Sequence, residues 1–114
     1  MTTTLPQIEV NGKPIQVLAT AQWGEEYGSI AKLFVNLALE VLQSHPVDML
    51  SFESALTDSF QIRSVGYHLE TGVLDEETVL HFANIKNIEF KKFWFKLDDY
   101  GDKYVGVMMF PEEY

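Results

Sequence analysis

The chain has 114 residues, 17 of them acidic and 8 basic, so its formal net charge is −9. Hydrophobic residues make up 46% and aromatic residues 13%, which is enough to fill a globular core and excludes global disorder. Because the chain contains no cysteine, disulfides, zinc–thiolate sites, iron–sulfur clusters and thiol catalysis are excluded together. We predict a single compact domain over residues 1–114.

No segment has the pattern of a signal peptide or a membrane span. The first ten residues lack a basic region followed by an apolar one. The longest apolar run, residues 30–42, is interrupted by Lys32 and Glu40 and is shorter than the roughly 20 residues that a span requires. We therefore expect a cytoplasmic protein without membrane association.

Acidic residues outnumber basic ones in both halves of the chain. Seven acidic and two basic residues lie up to Phe60, and ten acidic and six basic residues follow it. Such a surface repels nucleic acid and anionic lipid and attracts basic proteins. Solubility alone is the competing explanation, since acidic side chains keep small domains apart in solution.

The N-terminal segment has the pattern of a β-hairpin. Over residues 8–17, apolar residues alternate on either side of Asn11-Gly12, the dipeptide best suited to a type I′ turn. Pro14 favours an edge position for its strand, because proline cannot donate a ladder hydrogen bond.

Two helices are predicted next. Residues 25–44 have helical periodicity, and Pro46 ends the helix. A second, shorter helix is predicted over residues 46–60, because Pro46 suits a first helical position and Met49, Phe52, Leu56 and Phe60 recur at near-helical spacing.

The first helix has an unusually narrow polar face. Its polar positions fall within an arc of about 80°, whereas an ordinary surface helix buries only a stripe of about 100° or somewhat more. We therefore expect it to be covered on three sides. The polar positions are Ser29, Lys32, Asn36, Glu40 and Gln43.

The C-terminal half is dominated by predicted strands. Residues 61–70 form a strand whose apolar positions change parity between Ile62 and Val65, which indicates a bulge near Ser64 or Gly66. Residues 75–83 fit either a short helix or, over 78–82, a strand. Residues 87–97 form a long strand, 98–103 a turn and 104–110 the last strand, so the half ends in a hairpin.

These elements predict an α+β fold. A bent antiparallel sheet of about four to five strands wraps around one largely buried helix, with a second short helix beside it.

No motif indicates catalysis, a metal or a cofactor. The spacing of His45, His68 and His81 fits no zinc pattern, and the H-x-E fragment at His68 lacks the cysteines of a deaminase site. Nucleophile-elbow, Walker A and dinucleotide-binding motifs are missing from the sequence. The three carboxylates within residues 98–102 do not have EF-hand spacing. We expect no enzymatic activity, no cofactor and no metal.

Basic and aromatic side chains alternate over residues 91–96, as in proteins that bind single-stranded nucleic acid. Any half-buried strand can show the same alternation, and the net charge of −9 opposes such binding. We expect no direct contact with nucleic acid.

Carboxylates concentrate at predicted turns and element ends, beside aromatic residues of the kind that anchor protein interfaces. Glu25-Glu26 and residues 75–77 are two such groups. The main hypothesis is a small acidic inhibitor that binds a basic protein, either as an immunity protein for a nuclease-like toxin or as a nucleic-acid mimic. The predicted binding face, near Tyr114, comprises Asp98, Asp99, Asp102, Glu112, Glu113, Trp94, Tyr100 and Tyr104.

Two alternatives stay open. One is a small-molecule-binding or catalytic domain with a pocket between the bent sheet and the helix, lined by Tyr67, His68, Trp94 and Tyr104. The other is a homo-oligomer in which the apolar helix packs against another copy of the chain.

Overall fold

The computed structural model describes residues 9–55, 59–77, 79–84 and 90–114, with residues 80–84 described by their backbone. The helices are α1 (Ala21–Tyr27) and α2 (Ala31–Ser44), with 3-10 turns at Gly28–Ile30 and Pro111–Glu113. The strands are β1 (Glu9–Val10), β2 (Lys13–Ala19), β3 (Met49–Ser54), β4 (Ser59–Ser64), β5 (Val79–Asn84), β6 (Phe93–Asp99) and β7 (Tyr104–Met109).

The strands form one sheet in the order β1-β2-β7-β6-β3-β4-β5. Strands β2 and β7 run parallel, with Ile15 opposite Tyr104, while the other neighbouring pairs are antiparallel. The fold is α+β, as predicted, but its curled sheet is mixed and has six main strands beside the two-residue β1. The expected antiparallel sheet of about four to five strands is therefore matched only roughly, because the sheet has more strands and one parallel pair.

The N-terminal hairpin confirms its sequence signal. Asn11 and Gly12 have φ angles of 51° and 78°, as a type I′ turn requires of both central residues. Among the described residues, the two-residue β1 flanks β2 on its outer side, with Glu9 opposite Pro14, so Pro14 lies near the edge of the sheet. Ile8, the first residue of the predicted hairpin, lies outside the described residues.

The helix predicted over residues 25–44 is divided in the structure. Helix α1 begins earlier, at Ala21, and the side chain of the preceding Thr20 caps it by accepting a hydrogen bond from the backbone of Trp23. The turn Gly28–Ile30 separates α1 from α2. Helix α2 ends at Ser44, before Pro46, as predicted. Every polar position predicted to face solvent is exposed, and Phe34, Ala38, Leu39, Val41 and Leu42 are buried.

The second predicted helix, over residues 46–60, was wrong. This part of the chain contains β3 and the start of β4, which pair with Leu50 opposite Ser64. The apolar residues of this segment also fit the period of two that is typical of a strand. Leu50 and Phe52 are buried on one face of β3, and Phe60 and Ile62 are buried on the same face of the neighbouring β4. Pairing of β3 with both β4 and β6 decides between the two periods.

The C-terminal strands differ from the prediction mainly in their bounds. Strand β4 ends at Ser64, and the register shift lies between Ile62 and Arg63, where β4 pairs with β5. Strand β5 resolves the choice left open for residues 75–83 in favour of a strand that starts at Val79. The hairpin of β6 and β7 is confirmed, whereas residues 87–89 of the long predicted strand lie outside the described part.

Aromatic side chains fill the space between the helices and the sheet. Phe34 of α2 is fully buried and packs against Phe93, with ring centroids 5.1 Å apart, while Phe52 stacks on Phe93 at 4.5 Å. Trp23 and Tyr27 bring α1 into the same cluster. The Tyr27 hydroxyl accepts a hydrogen bond from the Lys91 backbone amide at 2.7 Å, which ties α1 to the segment before β6.

Within the described residues, none of the helices is both long enough and apolar enough to cross a membrane.

Candidate functional site

The predicted acidic face begins at the turn between β6 and β7. Asp98, Asp99 and Asp102 are exposed there, and Tyr100 is 64% exposed. Asp98 pairs with Lys96 on the same face of β6, at 2.8 Å. This contact raises the pKa of Lys96, so one of the three carboxylates already has a cationic neighbour within the chain.

Asp99 is also paired inside the protein. Its carboxylate accepts two hydrogen bonds from the Lys13 ammonium group, at 2.9 and 3.0 Å, and a third from the backbone of Gly101. The Lys13 hydrogen bond is the main cause that lowers the pKa of Asp99, and it raises the pKa of Lys13. Asp99 therefore joins the C-terminal hairpin to β2.

The aromatic members of the predicted face are distributed over different environments. Tyr104 is 3% exposed, lies beneath Lys13, and accepts a hydrogen bond from Asn11, so it belongs to the core. Trp94 is half-buried and faces outward from β6, where its ring meets that of the exposed Tyr114 at 5.8 Å.

Glu112 and Glu113 lie at the opposite end of this hairpin. Its ladder runs from Trp94, opposite Met109, to Asp99 at the turn, which is about 17 Å at the usual rise of a strand. The carboxylates of the predicted face thus lie at both ends of the hairpin, and Lys96, which pairs with Asp98 and lies 5.6 Å from the centroid of the Tyr114 ring, lies between them.

Glu113 has a structural role. One of its carboxylate oxygens accepts hydrogen bonds from the backbone of Phe110, at 2.9 Å, and from the hydroxyl of Thr20, at 2.8 Å. Since Thr20 also caps α1, this contact holds the C-terminal turn against the start of that helix.

The same contact brings Glu112 to the glutamates of α1. Glu25, Glu26 and Glu112 line a cleft of about 230 Å³, together with Lys91. Lys91 lies 3.5 Å from Glu26, so three carboxylates share this cleft with one lysine. We call this site the acidic cleft.

The pocket predicted between sheet and helix is not assembled from its predicted residues. Tyr104 is buried, Trp94 lies on the outer face of the sheet, and Tyr67 is half-exposed in the loop after β4. Of the four predicted residues, His68 alone lines a cleft of about 440 Å³ at the end of α2.

That cleft contains a group of side chains that the sequence analysis did not connect. The Nε2 atoms of His45 and His68 lie 2.9 and 2.7 Å from the same carboxylate oxygen of Asp75. The other carboxylate oxygen accepts a hydrogen bond from the Ser64 hydroxyl. The Asp75 side chain is only 3% exposed, whereas the two imidazoles are 27% and 33% exposed. We call His45, His68 and Asp75 the histidine–aspartate cluster.

Backbone hydrogen bonds hold the three segments of this cluster together. The amide of His45 donates to Val41, which closes the end of α2, and the amide of Asp75 donates to Gly66. His68 pairs with Val47 in an isolated bridge. These contacts fix the main chain at His45, His68 and Asp75.

Gly66 is needed for this arrangement. A methyl group there would overlap the Asp48 side chain and lie 2.9 Å from the Met49 backbone nitrogen. The sequence marked Gly66 only as a place for a bulge, and no local pattern connected His45 with Asp75, because they are 30 residues apart. The side chain of His81 lies outside the described part of the structure.

Comparisons with protein-family models, with curated proteins and with solved structures found no significant match to this chain.

Proposed function

We propose that this protein binds a basic protein partner through the acidic cleft and thereby inhibits it. The observation that supports this function most directly is that Glu25, Glu26 and Glu112 converge from two ends of the chain around a single lysine. A cleft with excess negative charge attracts cationic side chains and accelerates association with a basic surface.

The neighbouring aromatic residues favour a protein partner. Tyr114, which is 76% exposed, follows two residues after Glu112 and contacts Trp94. Exposed tyrosine and tryptophan side chains are enriched at binding hot spots, because they bury a large area at low cost in side-chain entropy. An arginine or lysine of the partner would enter the cleft while its surroundings pack on these rings.

The turn at Asp98 and Asp99 contributes less to this interaction in our proposal. Both carboxylates have a lysine within 3 Å in the same chain, so a partner would compete with these contacts.

Two forms of inhibition fit the acidic cleft: an immunity protein for a nuclease-like toxin, and a nucleic-acid mimic that occupies the groove of a basic protein. We propose a binding function and assign no catalytic residue.

Three double variants with equal change of charge test the location of the face. Glu25→Gln/Glu112→Gln alters the acidic cleft, Asp98→Asn/Asp102→Asn alters the hairpin turn, and a control replaces two exposed glutamates elsewhere, Glu9→Gln/Glu40→Gln. The partner is captured on the immobilised wild-type protein and identified, and its association rate is measured by surface plasmon resonance at low and physiological salt.

We expect the cleft variant to associate at least about fivefold more slowly at low salt, with a weaker salt dependence, because steering charges act on the encounter rate. The control should stay within about twofold of wild type. Equal slowing by all three variants would show that only net charge matters. A larger effect of the turn variant would move the face to the hairpin. Competition by DNA or RNA for the captured partner would show that the protein occupies the partner's nucleic-acid groove, and a lack of competition would show that it binds elsewhere on the partner.

A further inference from the structure

Two imidazoles and one carboxylate meet in the histidine–aspartate cluster. One nitrogen of each of His45 and His68 and one oxygen of Asp75 all lie within 4.8 Å of one another. We propose that these three side chains bind a divalent transition-metal ion, with Zn²⁺ as its probe. This site shares no residue with the acidic cleft and does not depend on the proposed function.

The donor atoms select the class of metal. Imidazole nitrogen suits zinc, iron, copper and nickel, whereas calcium and magnesium require oxygen ligands almost entirely. Two nitrogens and one oxygen from the protein also leave at least one coordination position for water or a ligand, as in zinc sites with three protein ligands. Chemically the cluster is a partial coordination sphere for such an ion.

The spacing of the donors requires an adjustment before they can bind one ion. Bond lengths of about 2.0 to 2.2 Å place the ligands of a tetrahedral zinc ion about 3.3 Å apart. The two nitrogens lie 2.9 and 2.7 Å from the Asp75 oxygen, so each must retreat from it by roughly half an ångström. The three donor atoms lie within 4.8 Å of one another, so the two nitrogens must also approach each other by up to about 1.5 Å. Both imidazoles are partly exposed at the cleft and have room to move outward.

The carboxylate is the fixed member of the site. Ser64 donates to the oxygen of Asp75 that does not face the imidazoles, and the Asp75 amide is bound to Gly66. Hydrogen bonds of this type orient metal ligands and commonly alter metal affinity about 10- to 100-fold when removed. Ser64 is therefore a positioning residue in our proposal.

The cleft provides access to the open coordination position. It has a volume of about 440 Å³, and Glu70 and Thr71 are among its lining residues. The ion can thus enter from solvent, and water or an oxygen-containing ligand can complete its coordination sphere.

The competing interpretation is a hydrogen-bonded network without metal, in which both imidazoles donate to Asp75. It predicts the same arrangement of side chains and differs only in its response to metal. The test must therefore measure metal binding itself.

The first measurement uses the wild-type protein. Competition with a chromophoric chelator should show one saturable Zn²⁺ site, and magnesium and calcium should not displace the ion. In long-range ¹H–¹⁵N spectra, Zn²⁺ should shift the imidazole signals of His45 and His68. No saturable binding, or imidazole signals that do not respond, would overturn the proposal and leave the hydrogen-bonded network.

Variants then identify the ligands. His45→Gln and His68→Gln should each lower zinc affinity at least about 100-fold, and Ser64→Ala about 10- to 100-fold. The control Glu40→Gln removes an exposed carboxylate of α2 that is not one of the three donors, and it should bind as wild type does. Zinc should raise the melting temperature of the wild type and of the control but not of the two ligand variants. If a ligand variant does not fold, the wild-type imidazole spectra decide alone.

Discussion

Truncation of Phe34 tests whether α2 is the centre of the core. Its side chain is fully buried, and we expect Phe34→Ala to lower the free energy of unfolding by about 4 kcal/mol, within the range of about 3 to 5 kcal/mol for such changes. The loss combines the transfer of the ring from the core with the cavity it leaves. The rings within contact distance belong to Trp23, Tyr27, Phe52, Phe60, Phe90 and Phe93.

The expected loss is a large share of the total stability, which is about 5 to 15 kcal/mol for a domain of this size. With a urea dependence of about 2 kcal/mol per molar, the unfolding midpoint should fall by roughly 2 M. Urea titrations followed by circular dichroism and by tryptophan fluorescence measure this shift, since Trp23 lies beside Phe34.

The neighbouring Leu33 provides the matched control. Its side chain is 46% exposed, so Leu33→Ala should cost no more than about 1 kcal/mol. Leu37, which is only partly buried, should fall between the two. Equal losses for Phe34→Ala and Leu33→Ala would refute the assignment of the buried face of α2.

Two further predictions concern single contacts. Gly106→Ala places a methyl group against the Phe95 ring and should destabilise the protein by about 1 to 3 kcal/mol in thermal or urea melts. The control Gly24→Ala adds a methyl group in open space on a helix, and it should be neutral or stabilise the protein by up to about 1 kcal/mol. Lys13→Gln should raise the pKa of Asp99 toward its ordinary value in a carbon-detected NMR titration, because Lys13 is the main cause of its depression. The pKa of Asp99 is lower in the folded than in the unfolded protein, so the Lys13–Asp99 pair stabilises the fold at a pH above the unfolded pKa. This stabilisation is lost as the pH falls through the folded pKa. A stability difference between wild type and Lys13→Gln that is the same at neutral and acidic pH would contradict this reasoning.

The features that the sequence predicted correctly depend on neighbours within a few residues. The Asn11-Gly12 turn follows from backbone angles that these residues tolerate, and Pro46 ends α2 because it cannot continue the hydrogen bonds. The exposed positions of α2, such as Asn36 and Glu40, follow from helical periodicity.

The errors arose where a pattern fits two structures. Phe52 and Phe60 are spaced as on a helix, yet Phe52 also alternates with Leu50 in a strand. Pairing with β6, where Phe93 stacks on Phe52, decides for the strand. Since Phe93 lies 41 positions further along the chain, no local pattern could indicate this contact. The parallel pairing of β2 with β7 likewise depends on segments far apart in sequence.

The candidate sites show the same division. Charge and composition identified an acidic surface, but they grouped Glu112 with Asp98 and Asp99, whereas the fold separates them by the length of a hairpin. Glu112 instead joins Glu25, because Glu113 binds Thr20. Sequence spacing gave no reason to group His45, His68 and Asp75.

By itself the sequence determined the acidic balance of this protein, its turns, its helical periodicity and the lack of cysteine chemistry, since each is a property of residues or of short segments. Only the tertiary structure decided which charges pair, as Lys13 does with Asp99 from 86 positions away, and which histidines meet a buried carboxylate. The physical reason is range: backbone preferences act over a few residues, whereas these contacts form only after the core has closed long loops of the chain.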